Sequence, residues 1–226
     1  MNRRLMMGVA ACALLFAIPA SAVMLDDFED GNLIEWTQAG SGGVYSAVTP
    51  AAAHDGNLGC ELGSSRQTGW LYRDDVTVGE GDVFWVWTTL NNSSNTRNYV
   101  GFCASAAGCW SLVLAPNTTN LIIQRNSGYG FTTLAEVPYG SWIRNYWYRA
   151  EIALTGGGQI IGNVYDSDGT TLLASVSAMD PGCVSGGIAM RTFGDGGDAG
   201  YWDSWQTEGA TPVQPKTWGA IKDIYR

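Results

Sequence analysis

Trp147-Tyr148-Arg149-Ala150-Glu151-Ile152-Ala153-Leu154, a turn at Gly156-Gly157-Gly158, then Gln159-Ile160-Ile161-Gly162-Asn163-Val164-Tyr165-Asp166: this stretch decides the fold. A second turn, Ser167-Asp168-Gly169, leads to Thr170-Thr171-Leu172-Leu173-Ala174-Ser175-Val176. Ser185-Gly186-Gly187-Ile188-Ala189-Met190-Arg191 and Tyr201-Trp202-Asp203-Ser204-Trp205 complete the series. Short runs of β-branched and aromatic residues, separated by glycine or Asp-Gly turns, are what antiparallel strands joined as hairpins require. The reading is all-β, a sandwich of antiparallel strands with little helix.

The same order of motifs resembles the back half of the concanavalin A-like lectin/glucanase jelly roll, as found in laminin-G-like domains and secreted bacterial carbohydrate-binding modules. Near the other end, Asp26-Asp27-Phe28-Glu29-Asp30-Gly31-Asn32-Leu33-Ile34-Glu35-Trp36 and Ala53-His54-Asp55-Gly56-Asn57-Leu58 are similar to the opening strands of such modules. The resemblance spans roughly residues 25 to 207. It implies an antiparallel jelly-roll β-sandwich, and a saccharide or a surface as ligand.

Outward from that body, the amino terminus has a different character. Arg3 and Arg4 precede an apolar run from Leu5 to Ile18, and Ala20-Ser21-Ala22 has the small residues of a cleavage site. Residues 1–22 therefore read as a secretory signal peptide, and 23–208 as the sandwich domain. No later stretch reaches the roughly 20 apolar residues of a membrane span. A secreted or cell-surface location follows. Loss of the two signal arginines takes the net charge from −9 to −11 over the remaining 204 residues. Such an acidic chain is not drawn by its overall field to nucleic acid or anionic lipid.

Four cysteines remain after Cys12 leaves with the signal: Cys60, Cys103, Cys109 and Cys183. An even number in an oxidising compartment points to two disulfides. Three pairings are open in principle. Cys103 with Cys109 would staple a hairpin, and Cys60 with Cys183 would then tie an early strand to a late one. Their spacing does not suit a zinc ribbon.

Carboxylates two apart beside a glycine turn, Asp27 and Glu29, have the oxygen chemistry that Ca²⁺ takes, and equally the chemistry of turn caps. The resemblance implies a structural calcium held by acids of the opening strand and an aspartate of the last strand, here Asp27, Glu29 and Asp203. It also implies that His54, the sole histidine, orders a loop.

Between Gly81 and Leu90, period-two alternation puts Phe84, Val86 and Thr88 on one face and Trp85 and Trp87 on the other. One face must be core. Either the tryptophans fill it, or they form a platform on which sugar rings stack. Tyr99–Cys103 and Trp110–Leu114 read as a strand pair, followed by Asn120–Arg125. Trp85, Trp87, Tyr99, Trp110 and Tyr129 are the candidate carbohydrate-binding residues. Glycosylation sequons begin at Asn91, Asn92 and Asn117.

Catalysis has no sequence support. The Glu-x-Asp-x-x-Glu run of laminarinase-type glucanases, which sets two carboxylates about 5 Å apart for retaining hydrolysis, is absent. The Gln-x-His strand of alginate-lyase relatives is absent too. Arg149 and Glu151 alternate on one strand and read as a cross-strand salt bridge or polar edge.

Beyond Trp205, Gly209, Pro212 and Pro215 mark a linker. Trp218, Ile221 and Tyr225 then fall on one face of a short helix with Thr217 as cap. A helix of about ten residues is marginal alone in water, so residues 209–226 are expected to dock on the sandwich, on a protein partner or on a second copy. The functional expectation is a secreted noncatalytic carbohydrate-binding or surface-recognition module. A structural protein of the cell surface or of an extracellular assembly is the alternative, and a polysaccharide lyase or glucanase the third reading.

Overall fold

The computed structural model describes residues 22–40, 44–63, 69–90, 95–127, 130–194 and 199–208. Apart from Ala22, the expected signal peptide lies outside them. So do Tyr129, the sequon asparagines 91 and 92, and the tail 209–226.

Fifteen strands, numbered in chain order, form two antiparallel sheets among the described residues. The eight-stranded sheet runs β13 (Leu172–Met179), β12 (Gln159–Tyr165), β11 (Trp147–Thr155), β6 (Val83–Thr89), β15 (Ala199–Glu208), β4 (Gly59–Gly63) and β3 (Ser46–Thr49), with β1 (Ala22–Asp26) beside the end of β15. The seven-stranded sheet runs β10 (Gly130–Pro138), β9 (Asn120–Ser127), β8 (Gly108–Ala115), β7 (Arg97–Ser105), β14 (Ser185–Phe193), β5 (Trp70–Gly79) and β2 (Thr37–Ala39). The chain is an antiparallel jelly-roll β-sandwich.

The inner faces follow from alternation. Tyr148, Ala150, Ile152 and Leu154 of β11 are buried in the core, as are Phe84 and Val86 of β6. From the other sheet, Val100, Phe102, Leu112, Leu114, Leu121, Ile123, Ile188 and Met190 meet them. Burial of this continuous apolar layer, at about 25 cal/mol per Å², is what holds the sheets face to face.

Strict alternation fails in β15, where Trp202 and Trp205 both lie in the core, their rings parallel within 1° and 6.4 Å apart. Residues three apart cannot share a face of a regular strand. The register with β6 shifts between Asp203 and Gln206, and Ser204 takes φ +53°. This β-bulge inserts the extra residue that returns Trp205 to the core side.

The disulfide expectation needs correction. Cys103 is bonded to Cys183, with Cα atoms 5.7 Å apart, whereas Cys60 and Cys109 are buried free thiols. The hairpin staple fails because β7 and β8 lose register after Phe102, and Cys103 itself has φ +46°. Its side chain enters the core between the sheets, where Cys183 also packs, while Cys109 packs on the outer face of its sheet. Cys60 lies in β4, between Val48 of β3 and Trp202 of β15, in the opposite sheet. Burial pushes its thiol pKa upward, as Asp26 and Glu61 do more weakly.

Candidate functional site

A row of register partners crosses the whole seven-stranded sheet on its outer face. It reads Thr37, Tyr72, Ala189, Gly101, Ser111, Gln124 and Thr133 from β2 to β10. Its three middle members are small, and the flanking ones are large. The neighbouring row reads Arg191, Tyr99, Val113, Ile122 and Glu136. On the other side, Cys109 stands opposite Asn126, and Trp70, Tyr72, Ala104, Cys109 and Ala189 pack as one cluster. Small residues stand at the centre with rings around them, a basin in side-chain size whose members Tyr72, Tyr99, Ser111 and Gln124 are buried.

The floor has no room for larger groups. A Cβ on Gly101 would stand 2.6 Å from the Cβ of Ala189, so glycine is required by the close approach of β7 and β14.

Polar chemistry surrounds this floor. The Asn126 Nδ2 donates to Ser111 Oγ at 2.9 Å, Gln124 Nε2 donates to Asn126 Oδ1, and Cys109 Sγ lies 3.5 Å from Ser111 Oγ. The Arg191 guanidinium stacks over Tyr99 at 4.7 Å and over Phe193 at 5.4 Å from the ring centres. Burial lowers its pKa, which the nearby Tyr99 and Cys109 partly offset. Burial likewise raises the Cys109 pKa, keeping it a thiol. Trp70 is the most telling residue. It is 5% exposed, and its buried Nε1–H has no acceptor among the described residues. An orphaned buried donor costs about 1–3 kcal/mol unless a partner arrives.

The five sequence-predicted aromatic residues are dispersed. Tyr99 belongs to the basin. Trp85 and Trp87 do face outward, but from the eight-stranded sheet, with Phe84 and Val86 as core. Trp87 is not a free platform. The His54 ring stacks on it at 3.9 Å and 13°, and a Cβ on Gly169 would lie 3.2 Å from its ring. Trp110 packs against the core and donates from Nε1 to Asp180 at 3.0 Å, a corner contact next to Cys183. Tyr129 lies outside the described residues.

Trp70, Tyr72, Arg191 and Gln124 escaped the sequence reading. One signal was present: Trp70 and Tyr72 alternate with Leu71 and Arg73. Which face of that strand is core, and which strands lie beside it, is set by long-range pairing.

The three carboxylates expected to hold calcium are already engaged. Asp203, fully buried, accepts the backbone N–H of His54 at 2.6 Å and of Asp55 at 2.9 Å on one oxygen. Glu29 Oε1 accepts the N–H groups of Asn57 and Leu58 at 2.6 and 2.8 Å, and Asp27 accepts that of Glu29 at 3.2 Å. Among the described residues no group of three or more His, Cys, Asp or Glu side chains is placed to hold a metal. A cation needs converging oxygens, and these oxygens face N–H donors. Glu29, just after β1, and Asp203 of β15 lash the 50–58 loop to the body, while Asp27 caps its own turn. The Nδ1 of His54 lies 3.0 Å from Asp55 Oδ2, and with its ring on Trp87 the histidine is part of the same lashing.

No family model and no curated protein matches the sequence. Solved structures do match the fold, which is that of galectin-like and carbohydrate-binding jelly rolls. The carbohydrate binding module CBM66 from Bacillus subtilis superposes with a TM-score of 0.58 at 11% identity, covering 77% of this chain and 95% of that one. A Bacillus subtilis protein of unknown function with a galectin-like fold gives 0.53 at 10% identity over 78% and 90%. The cellulose induced protein Cip1 gives 0.53 at 15% identity over 80% and 95%. At these identities the likeness establishes the architecture.

Proposed function

We propose that this protein is an exported, noncatalytic carbohydrate-binding module whose ligand lies in the basin of the seven-stranded sheet. The observation that carries the reading is the unpaired Trp70 indole N–H beside a floor of Ala189, Gly101 and Ser111. A sugar ring presents a C–H face to aromatic rims such as Tyr72 and Tyr99, and hydroxyl groups that accept from Trp70 and Arg191 and exchange hydrogen bonds with Gln124 and Asn126. The sequence signal at residues 1–22 and the Cys103–Cys183 bond support export. The likeness in fold to the carbohydrate binding module CBM66 points the same way.

One observation favours a second reading, a polysaccharide lyase. The fold brings Arg191, Gln124, Tyr99 and Tyr72 to one face, the residue types that lyase relatives use, with Asn126 in the place of the histidine of their Gln-x-His strand. A lyase would neutralise a uronate carboxylate with Arg191 and take its α proton with a tyrosine as the glycosidic bond breaks. Both readings are tested together. Residues 23–226, made in an oxidising compartment, are titrated with neutral and uronate polysaccharides while ultraviolet absorbance follows unsaturated product. Binding without product, weakened about tenfold or more by Trp70→Ala or Arg191→Ala in folded protein, is expected. Unsaturated product would install the lyase. Absence of binding to every polysaccharide, or variants that bind like wild type, would refute the basin as a saccharide site.

A further inference from the structure

The opposite side of the sandwich carries a second constellation. On the outer face of the eight-stranded sheet, Glu151 of β11 stands between Trp85 of β6 and Asn163 of β12, and Arg149 stands between Trp87 and Tyr165. The Arg149 guanidinium carbon lies 4.3 Å from the Tyr165 ring centre and 5.4 Å from that of Trp85. Its Nη2 donates to Glu151 Oε2 at 2.8 Å. Glu151 Oε1 accepts from Asn163 Nδ2 at 3.1 Å and from the Tyr165 hydroxyl at 3.0 Å. The Arg149 Nε is buried without an acceptor among the described residues.

Five side chains from three strands are thus fixed in mutual orientation on a face that remains partly open; the side chains of Arg149 and Glu151 are 22% and 12% exposed. We infer that Trp85, Arg149, Glu151, Asn163 and Tyr165 form a second, independent saccharide site, so that one molecule binds polysaccharide on both faces. The inference rests on the carbohydrate reading above and adds a place and a ligand class to it.

The chemistry selects an uncharged sugar. Trp85 offers a flat ring to a C–H face, while a carboxylate with about four acceptor positions has three of them used here, leaving one for a hydroxyl. Asn163 adds an amide oxygen, and Arg149 adds N–H groups. The Arg149–Glu151 pair is internally neutral. Neither a uronate nor an amino sugar therefore finds a net opposite charge there, and an uncharged sugar loses nothing by comparison. Trp87, sandwiched between His54 and Gly169, stays outside the site. Because the two sites lie on opposite outer faces of the sandwich, they engage two chains rather than one, and the expected consequence is cross-linking of polymer.

The test separates a saccharide site from a ladder that only stiffens three strands. For a neutral polysaccharide that wild type binds, calorimetry with a short oligosaccharide counts sites, and turbidity with polymer reports cross-linking. Glu151→Gln preserves shape, Trp85→Ala removes the stacking surface, and near-ultraviolet circular dichroism confirms folding. Two sites per molecule are expected in wild type and one in each of these variants. Cross-linking should fall about tenfold or more. A single site in wild type, unchanged by Trp85→Ala and Glu151→Gln and lost in Trp70→Ala, overturns the second site and leaves the basin standing. A single site lost in Trp85→Ala and kept in Trp70→Ala overturns the basin and leaves this face as the binding site. Wild type that binds no saccharide overturns both.

Discussion

Replacing both Cys103 and Cys183 by alanine removes a cross-link between residues 80 apart in sequence. Closing a loop of that length restricts the unfolded chain by about 4.5 kcal/mol at 25 °C on the chain-entropy model. Each kcal/mol shifts the melting point of a domain of 150–250 residues by roughly 2–4 °C, so the double variant should melt roughly 10–15 °C below the oxidised wild type. The loss should be felt at the basin too, since Ala104, next to Cys103, packs on the outer face with Cys109 and Ala189. Circular dichroism melts of wild type, the double variant and Cys109→Ala decide the matter. Cys109→Ala should lack the cross-link effect and lose only its own packing. A shift of the double variant below about 3 °C, or a peptide map joining Cys103 to Cys109, would refute the reasoning.

Three further outcomes follow from particular contacts. Asp203→Ala leaves the His54 and Asp55 N–H groups without their acceptor and should cost about 3 kcal/mol; chemical denaturation measures the loss, and tryptophan fluorescence should report the unstacking of His54 from Trp87. Asp168 is held down to about 2 by the Thr171 hydroxyl and then by the Thr171 and Thr170 N–H groups. Its folded pKa is below its unfolded one, so its contribution is present above the ordinary carboxylate range and lost as pH falls toward 2. Asp168→Asn should flatten that acid limb in a series of melts, and an unchanged limb would contradict the assignment. Gly101→Val drives a side chain into Ala189 and should destabilise by about 1–3 kcal/mol while closing the basin, read as lost saccharide binding at 20 °C below its own melting point.

Much of the fold could be read from residue order. In β11 the alternation of Tyr148, Ala150, Ile152 and Leu154 with Arg149 and Glu151 sorts core from surface, and the same holds for Phe84 and Val86 against Trp85 and Trp87. Local pattern carries that information because a strand has period two. The cysteine pairing was hidden because it turns on the positive φ at Cys103, a backbone choice that spacing does not show. The basin was hidden for another reason. Tyr99, Arg191, Tyr72 and Gln124 come from four strands far apart in sequence, and only sheet order makes them neighbours. Asp27, Glu29 and Asp203 illustrate a third limit, since a carboxylate facing backbone N–H groups and one facing a cation look alike in a sequence.

Strand β1 pairs antiparallel with the end of β15, with Ala22 opposite Glu208 and Met24 opposite Gln206. The first residue of β1 and the last of β15 therefore lie side by side. Tension applied between them would pull along the hydrogen bonds and load them one at a time, opening the pairs one after another like a zip. Such a geometry yields at low force and in small steps. Tethered at both ends, the domain would shed β1 first and keep its two-layered body intact under loads that detach its edge.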